Sequence, residues 1–165
     1  MARDHARVHS AIWSDPDFRE LAVPAQHMYI LLLSQPRLTF VGILDYLPKR
    51  FAQLSAKATV RSVTSAIAAL EERGYVIHDE EHEELLIRSF VRRDGLLKSP
   101  NVTKAMVTDF NTVGSSVLRD VLVEELRRSY DEAPEMKGWP AVQETAPALW
   151  SLITAKGSRK GSANG

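Results

Sequence analysis

Apolar positions along this chain recur mostly at helical spacing, and two short stretches break that rhythm. From Pro24 onward, Ala25, Met28, Tyr29 and Leu32 fall at i, i+3, i+4 and i+7, one face of a helix that ends near Gln35 and Pro36. Val60, Val63, Ile67 and Leu70 repeat at three, four and three residues. They predict the inner face of a helix over 59–73, with Thr59 as cap and Gly74 just past its end. Between the two, Phe40 to Leu44 reads as a short strand. A helix capped by Asp45 then runs through Leu54, turning Leu47, Phe51 and Leu54 inward. The rhythm changes again at Tyr75-Val76-Ile77-His78 and Leu85-Leu86-Ile87-Arg88, two strands joined by a charged turn into a β-hairpin.

The flanking parts are simpler. Residues 1–12 are polar and read as a flexible arm. Ser14-Asp15-Pro16-Asp17 starts a short helix, with Ser14 as cap and Trp13 stapling its entry. Arg92-Arg93-Asp94-Gly95 reads as a loop. Ser99-Pro100-Asn101 opens a helix with Val102, Met106, Phe110 and Val113 inward. Gly114-Ser115-Ser116 breaks it, and Leu118, Leu122 and Leu126 stripe a following helix to about Tyr130. From 131 to 147 the pattern is irregular and interrupted by proline. Residues 148–155 suit a short apolar helix around Leu149, Trp150 and Ile153, and 157–165 read as a disordered basic tail.

The fold class expected is therefore mainly α with a small β-hairpin. It divides into an arm (1–12), a winged helix-turn-helix domain (13–98), a helical extension (99–130) and a linker with tail (131–165). In a winged helix-turn-helix, the second helix of the turn motif enters the DNA major groove by its N-terminal part. Here that helix begins with Thr59, Arg61, Ser62 and Ser65, short donors and one guanidinium suited to base edges.

Charge sharpens this expectation. The 165 residues carry 21 Lys plus Arg and 21 Asp plus Glu, so the whole chain is neutral. Yet from 47 to 70 there are four cations, Lys49, Arg50, Lys57 and Arg61, and no acid. Lys49, Arg50 and Lys57 are candidates for phosphate contact, with counterion release and salt-dependent affinity. Arg92 and Arg93 beyond the hairpin are further candidates, alongside Arg88 and Lys98, unless they pair with the hairpin's acids. The tip, Asp79-Glu80-Glu81-His82-Glu83-Glu84, holds five acids, which phosphate would repel, so this wing points away from DNA or meets a basic partner.

As a whole pattern, several runs resemble winged-helix proteins of actinobacteria and their phages. They are Ala11-Ile12-Trp13-Ser14-Asp15, Ala25-Gln26-His27-Met28-Tyr29, Val41-Gly42-Ile43-Leu44-Asp45-Tyr46 and Glu83-Glu84-Leu85-Leu86-Ile87-Arg88-Ser89-Phe90. Lys98-Ser99-Pro100-Asn101-Val102 belongs to the same set. The layout is similar to the N-terminal domains of phage and plasmid replication initiators and replisome organisers. That resemblance implies binding to double-stranded DNA in replication initiation or organisation. Transcriptional control through the same fold is the alternative, and a protein-interaction adaptor is the reading from a different class.

Other chemistry is thin. There is no cysteine, so disulfides, thiol catalysis and Cys-based zinc sites are excluded. His78 and His82 stand at i and i+4, but the residue after His78 is Asp79 and the setting is a hairpin tip, so no metal site is expected. No catalytic constellation or phosphate-cradling glycine loop is present, and neither enzyme activity nor a cofactor is expected. Apolar runs are too short for a membrane span, and a cytoplasmic location is expected. Trp139 and Trp150 either fold back onto the domain or anchor a protein partner. The Leu118, Leu122 and Leu126 stripe packs on its own domain or serves a homodimer. Lys156, Arg159 and Lys160 would add weak DNA affinity.

Overall fold

Prolines and small polar caps set where most of the helices begin. In the computed structural model, which describes residues 5–155, the elements are α1 (Pro16–Glu20), α2 (Val23–Leu33), β1 (Ile43–Asp45), α3 (Pro48–Ala52), α4 (Val60–Glu72), β2 (Val76–Asp79) and β3 (Glu84–Ile87). There follow α5 (Phe90–Arg93), α6 (Pro100–Thr112), α7 (Ser116–Glu132), α8 (Trp139–Thr145) and α9 (Pro147–Thr154). Short 3-10 turns at Ser10–Ser14 and Leu96–Lys98 complete them. The chain is thus mainly helical with one three-stranded antiparallel sheet in the order β1-β3-β2. Ile43 faces Leu86 on one side of β3, and Val76 faces Ile87 on the other.

Several boundaries differ from the sequence expectation, each for a local reason. The cap of α1 is Asp15, whose Oδ1 accepts from the Asp17 amide at 3.0 Å, and not Ser14. The strand expected over 40–44 begins only at Ile43, because Gly42 sits at φ +83. A Cβ there would lie 2.6 Å from Phe90 Cβ, so the close approach of α5 to this turn needs glycine. Asp45 does not cap α3; it ends β1 and pairs with Arg37 at 3.3 Å. Pro48 holds Leu47 outside the helical region (φ −125, ψ 77), so α3 starts late and stops at Ala52. Leu54 falls beyond it and is exposed. The 92–95 loop is instead closed by the single-turn α5, which Gly95 terminates in left-handed geometry. Within the irregular stretch 131–147, Pro140 occupies the first turn of α8 and does not break it.

One apolar cluster runs from Ile12 to Ile153, so α6 to α9 share a core with the sheet and α1 to α4. Leu118, Leu122 and Leu126 are fully buried inside it, which leaves no free leucine stripe for a second copy. Gly138 donates its amide to Leu97 O at 2.9 Å, and a Cβ there would fall 2.3 Å from Thr103 Oγ1, so α8 docks against α6 at backbone distance. Trp139 is buried with its indole N–H on Ala133 O at 2.9 Å, and Trp150 packs edge-on against Tyr130. Both tryptophans therefore fold back onto the domain. At the other end, Ile12 is buried and His9 Nε2 lies 2.9 Å from Arg93 O. The basic tail beyond Ala155 lies outside the described residues.

Candidate functional site

The chemistry of the acid-free segment is organised by the start of α4. Thr59 Oγ1 accepts from the Ser62 amide at 3.1 Å, and Ser62 Oγ accepts from the Thr59 amide at 2.9 Å, a reciprocal capping box. The Ser62 hydroxyl also donates to Thr59 O at 2.9 Å. Thr64, one turn on, donates its hydroxyl back to Arg61 O at 3.1 Å. These hydroxyls are turned to their own backbone, which fixes the helix end, and Ser62 serves as a cap partner while staying exposed. Val63, Ala66, Ile67 and Leu70 bury the opposite face. Arg61, Ser65 and Ala68, at i, i+4 and i+7, form the outward stripe and are exposed.

Around this end, Lys49, Arg50, Lys57 and Arg61 are all exposed, and none makes an ion pair among the described residues. An open cleft of about 260 Å³ separates the start of α2 from the α3–α4 turn. Pro24, His27, Met28 and Phe51 line it beside Lys57 and Ser62. Phe51 is also a wall of a second cleft of about 310 Å³, which holds Arg37, Asp45 and Arg50. The surface thus runs from the β1 end past α3 to the tip of α4. Arg37 and His27 join it without any signal in the sequence, since one sits in a loop and the other on a helix read only for its apolar face. Val60 belongs here too. It was expected in the core, but as the first residue of α4 it projects past the core edge and is 42% exposed.

Arg92 and Arg93 are not part of this surface. Arg92 closes on the carboxylate of Glu125, which also receives Arg88 Nε at 2.9 Å and has Arg128 Nη1 at 3.6 Å. Glu125 is 0% exposed, so its charge is held by guanidinium donors in place of water. Neither Arg88 nor Arg92 pairs with the hairpin acids. Arg93 is exposed, but it lines a small cleft with Arg7, His9, Tyr29 and Leu33. Tyr29 is two residues from both His27 and Leu31, and Leu33 is two from Leu31; His27 and Leu31 line the α4-side cleft. Two residues turn a helix by about 200°. Arg93 therefore sits across α2 from Lys57.

Compared with protein-family models, curated proteins and solved structures, the chain matches none.

The hairpin tip is less acidic toward solvent than its sequence. Glu84 accepts from the Gly114 and Ser115 amides at 2.8 and 2.9 Å, pinning the α6–α7 turn to the hairpin. Asp79 accepts from the Glu81 and His82 amides, and a hydrogen bond from the Ser115 side chain, with those from His82, holds its carboxyl below its ordinary value. Glu80, Glu81 and Glu83 remain exposed. His78 stacks on Tyr46 with ring centroids 4.4 Å apart and lies beside Glu71. Among the described residues, no group of three side chains is placed to hold a metal ion. No helix there is long and apolar enough to cross a membrane.

Proposed function

We propose that this chain binds double-stranded DNA through a winged helix-turn-helix. In this reading α3 and α4 are the turn motif, α4 is the recognition helix and the β2–β3 hairpin is the wing. The observation that carries it is the acid-free corner, where Lys49, Arg50, Lys57 and Arg61 stand exposed around the start of α4, without an ion pair among the described residues. A helix end fits the major groove, and flanking cations suit the phosphates on either side. Arg61 and Ser65 face bases; Lys49, Arg50 and Lys57 face phosphates; Thr59 and Ser62 hold the helix end rigid between them. Arg37, released from Asp45, adds a further cation at the edge.

The role we infer is replication initiation or organisation, which rests on the resemblance to phage and plasmid initiators. Transcriptional control would use the same contacts. A second reading, an adaptor for a basic protein partner, is favoured by the exposed Glu80, Glu81 and Glu83 at the hairpin tip.

Fluorescence anisotropy with a labelled random-sequence duplex over a salt series tests the DNA reading. Affinity should fall steeply with salt, and Arg61→Ala and Lys57→Ala should each weaken binding, Lys57→Ala lowering the salt slope by about one. No binding at low salt, or variants that match wild type, would overturn it and leave the adaptor reading in front.

A further inference from the structure

The N-terminal segment brings another set of cations together, away from the α4 corner. Ile12 is buried and His9 Nε2 lies 2.9 Å from Arg93 O, so this segment is held against the end of α5. Gly95 ends α5 in left-handed geometry, and buried Leu96 and Leu97 anchor the turn that follows. Over Gly95 the Lys98 stem and Arg7 Nη1 converge, both within 4 Å of the point where a Cβ would stand. Arg7 and Arg93 line one cleft with His9, Tyr29 and Ser89, and Asp94 is the one carboxylate along it. Arg7, Arg93 and Lys98 are exposed, and none makes an ion pair among the described residues. Like charges gathered beside a single acid repel one another, and an anion between them relieves that repulsion.

The cleft also carries uncharged donors. Burial pushes the Tyr29 phenol above its ordinary value, while a hydrogen bond from Ser89 and the charge of Arg93 pull it back. The two hydroxyls thus meet, with Arg93 close enough to act on the phenol. At about 30 Å³ the cleft has room for about two water-sized groups. That excludes an organic body and admits the oxygens of an anionic head whose remainder stays outside. A carboxylate brings a single charge, whereas a phosphate monoester brings close to two charges and three acceptor oxygens. The gathered cations and hydroxyls match the monoester.

We propose that the cleft between the N-terminal segment and α5 binds a phosphate monoester. Arg7, Arg93 and Lys98 neutralise it, and the Tyr29 O–H, which accepts from Ser89, donates to one of its oxygens. The cleft lies across α2 from the α4 corner, so both surfaces can be occupied at once. The site stands whether or not α4 binds DNA.

The test follows backbone amide shifts of the nitrogen-15-labelled full chain by NMR, at constant ionic strength. Thymidine 5′-monophosphate is the probe, with thymidine and acetate as controls. The monophosphate should move the amides of residues 7–9, 89–95 and 98 along one saturating curve, with a Kd on the order of 1 mM, and the controls should not. Arg93→Gln and Lys98→Gln should each weaken it about five- to tenfold, the loss of a charge-assisted contact at a partly exposed site, while Arg61→Gln matches wild type. Spectra that overlay away from each substitution confirm the fold. No shift in the cleft, equal shifts around Lys49, Arg50, Lys57 and Arg61, or an Arg93→Gln protein of wild-type affinity overturns the site. An equal response to acetate overturns the phosphate assignment. Short duplexes with and without a 5′-phosphate, offered to the protein with Lys49, Arg50, Lys57 and Arg61 replaced by Ala, separate the sources. Cleft shifts with the phosphorylated duplex alone identify a strand end, and shifts with neither identify a free small ester. Equal shifts with both overturn the monoester.

Discussion

Two groups of cations divide this molecule. At the α3–α4 corner, Lys49, Arg50, Lys57 and Arg61 face water with no carboxylate partner among the described residues. Along the seam between α5 and α7, Arg88 and Arg92 close on Glu125, which is fully buried. The residue type is the same and the chemistry is not. Where an acid is placed beneath an arginine, the pair becomes part of the fold. Where the sequence withholds acids for 24 residues, from 47 to 70, the cations stay available to an outside anion. The position of the nearest carboxylate decides between these fates, and the count of arginines does not.

The largest effect should come from breaking the seam. Glu125→Ala removes the buried carboxylate that Arg88, Arg92 and Arg128 share and should cost about 3 kcal/mol in urea unfolding, the low end for a broken buried pair because the arginines keep some contact with water. Alanine at Lys49, Arg50, Lys57 or Arg61 should each stay within about 0.5 kcal/mol of wild type in the same assay. A Glu125→Ala protein with the wild-type midpoint would erase the distinction drawn here. Next in size is Thr59→Ala, which removes half of the capping box and should cost about 1 kcal/mol. It should also weaken DNA binding without changing the salt slope, since it loosens the helix end and leaves every charge in place.

A smaller effect sharpens the electrostatic side. Replacing Glu80, Glu81 and Glu83 together by Gln should raise affinity for duplex DNA by on the order of a few-fold at low salt, with the gain vanishing as salt screens it. The smallest concerns Asp79. Hydrogen bonds from Ser115 and His82 depress its folded-state pKa below the ordinary 3.8. Its contribution is therefore fully present above the unfolded-state value and is lost as pH falls through the lower folded-state value. The thermal midpoint of wild type should drop more steeply than that of Asp79→Asn as pH is taken below about 4. Parallel curves would show that Asp79 contributes nothing to the hairpin root.

Much of the fold is legible in the sequence because it rests on local patterns. Val63, Ile67 and Leu70 announce α4, and the alternation from helical to extended runs announces the hairpin. What escapes has identifiable physical causes. Val60 obeys the apolar spacing of α4, yet it lies a turn beyond the reach of the core, and periodicity does not encode where a core ends. Pro140 resembles a helix breaker, although in the first turn of α8 it costs no hydrogen bond. Glu125 meets Arg88 and Arg92 across 37 and 33 residues, a separation at which charge patterning along the chain says nothing. For the candidate site, the acid-free run and the exposed Arg61 were legible. That Ser62 serves the cap, and that Arg93 lies across α2, are consequences of three-dimensional packing.

The most direct test of the central claim compares two variants of equal charge. One replaces Lys49, Arg50, Lys57 and Arg61 by Ala; the other replaces Arg19, Lys104, Arg119 and Lys137, which are exposed elsewhere. Both lose four positive charges, so a general electrostatic attraction would suffer equally. Anisotropy against duplex DNA over a salt series should show the first without measurable binding, and the second keeping most of the wild-type affinity and slope. Equal losses in the two would contradict the account, because the α3–α4 corner would then be one basic surface among several.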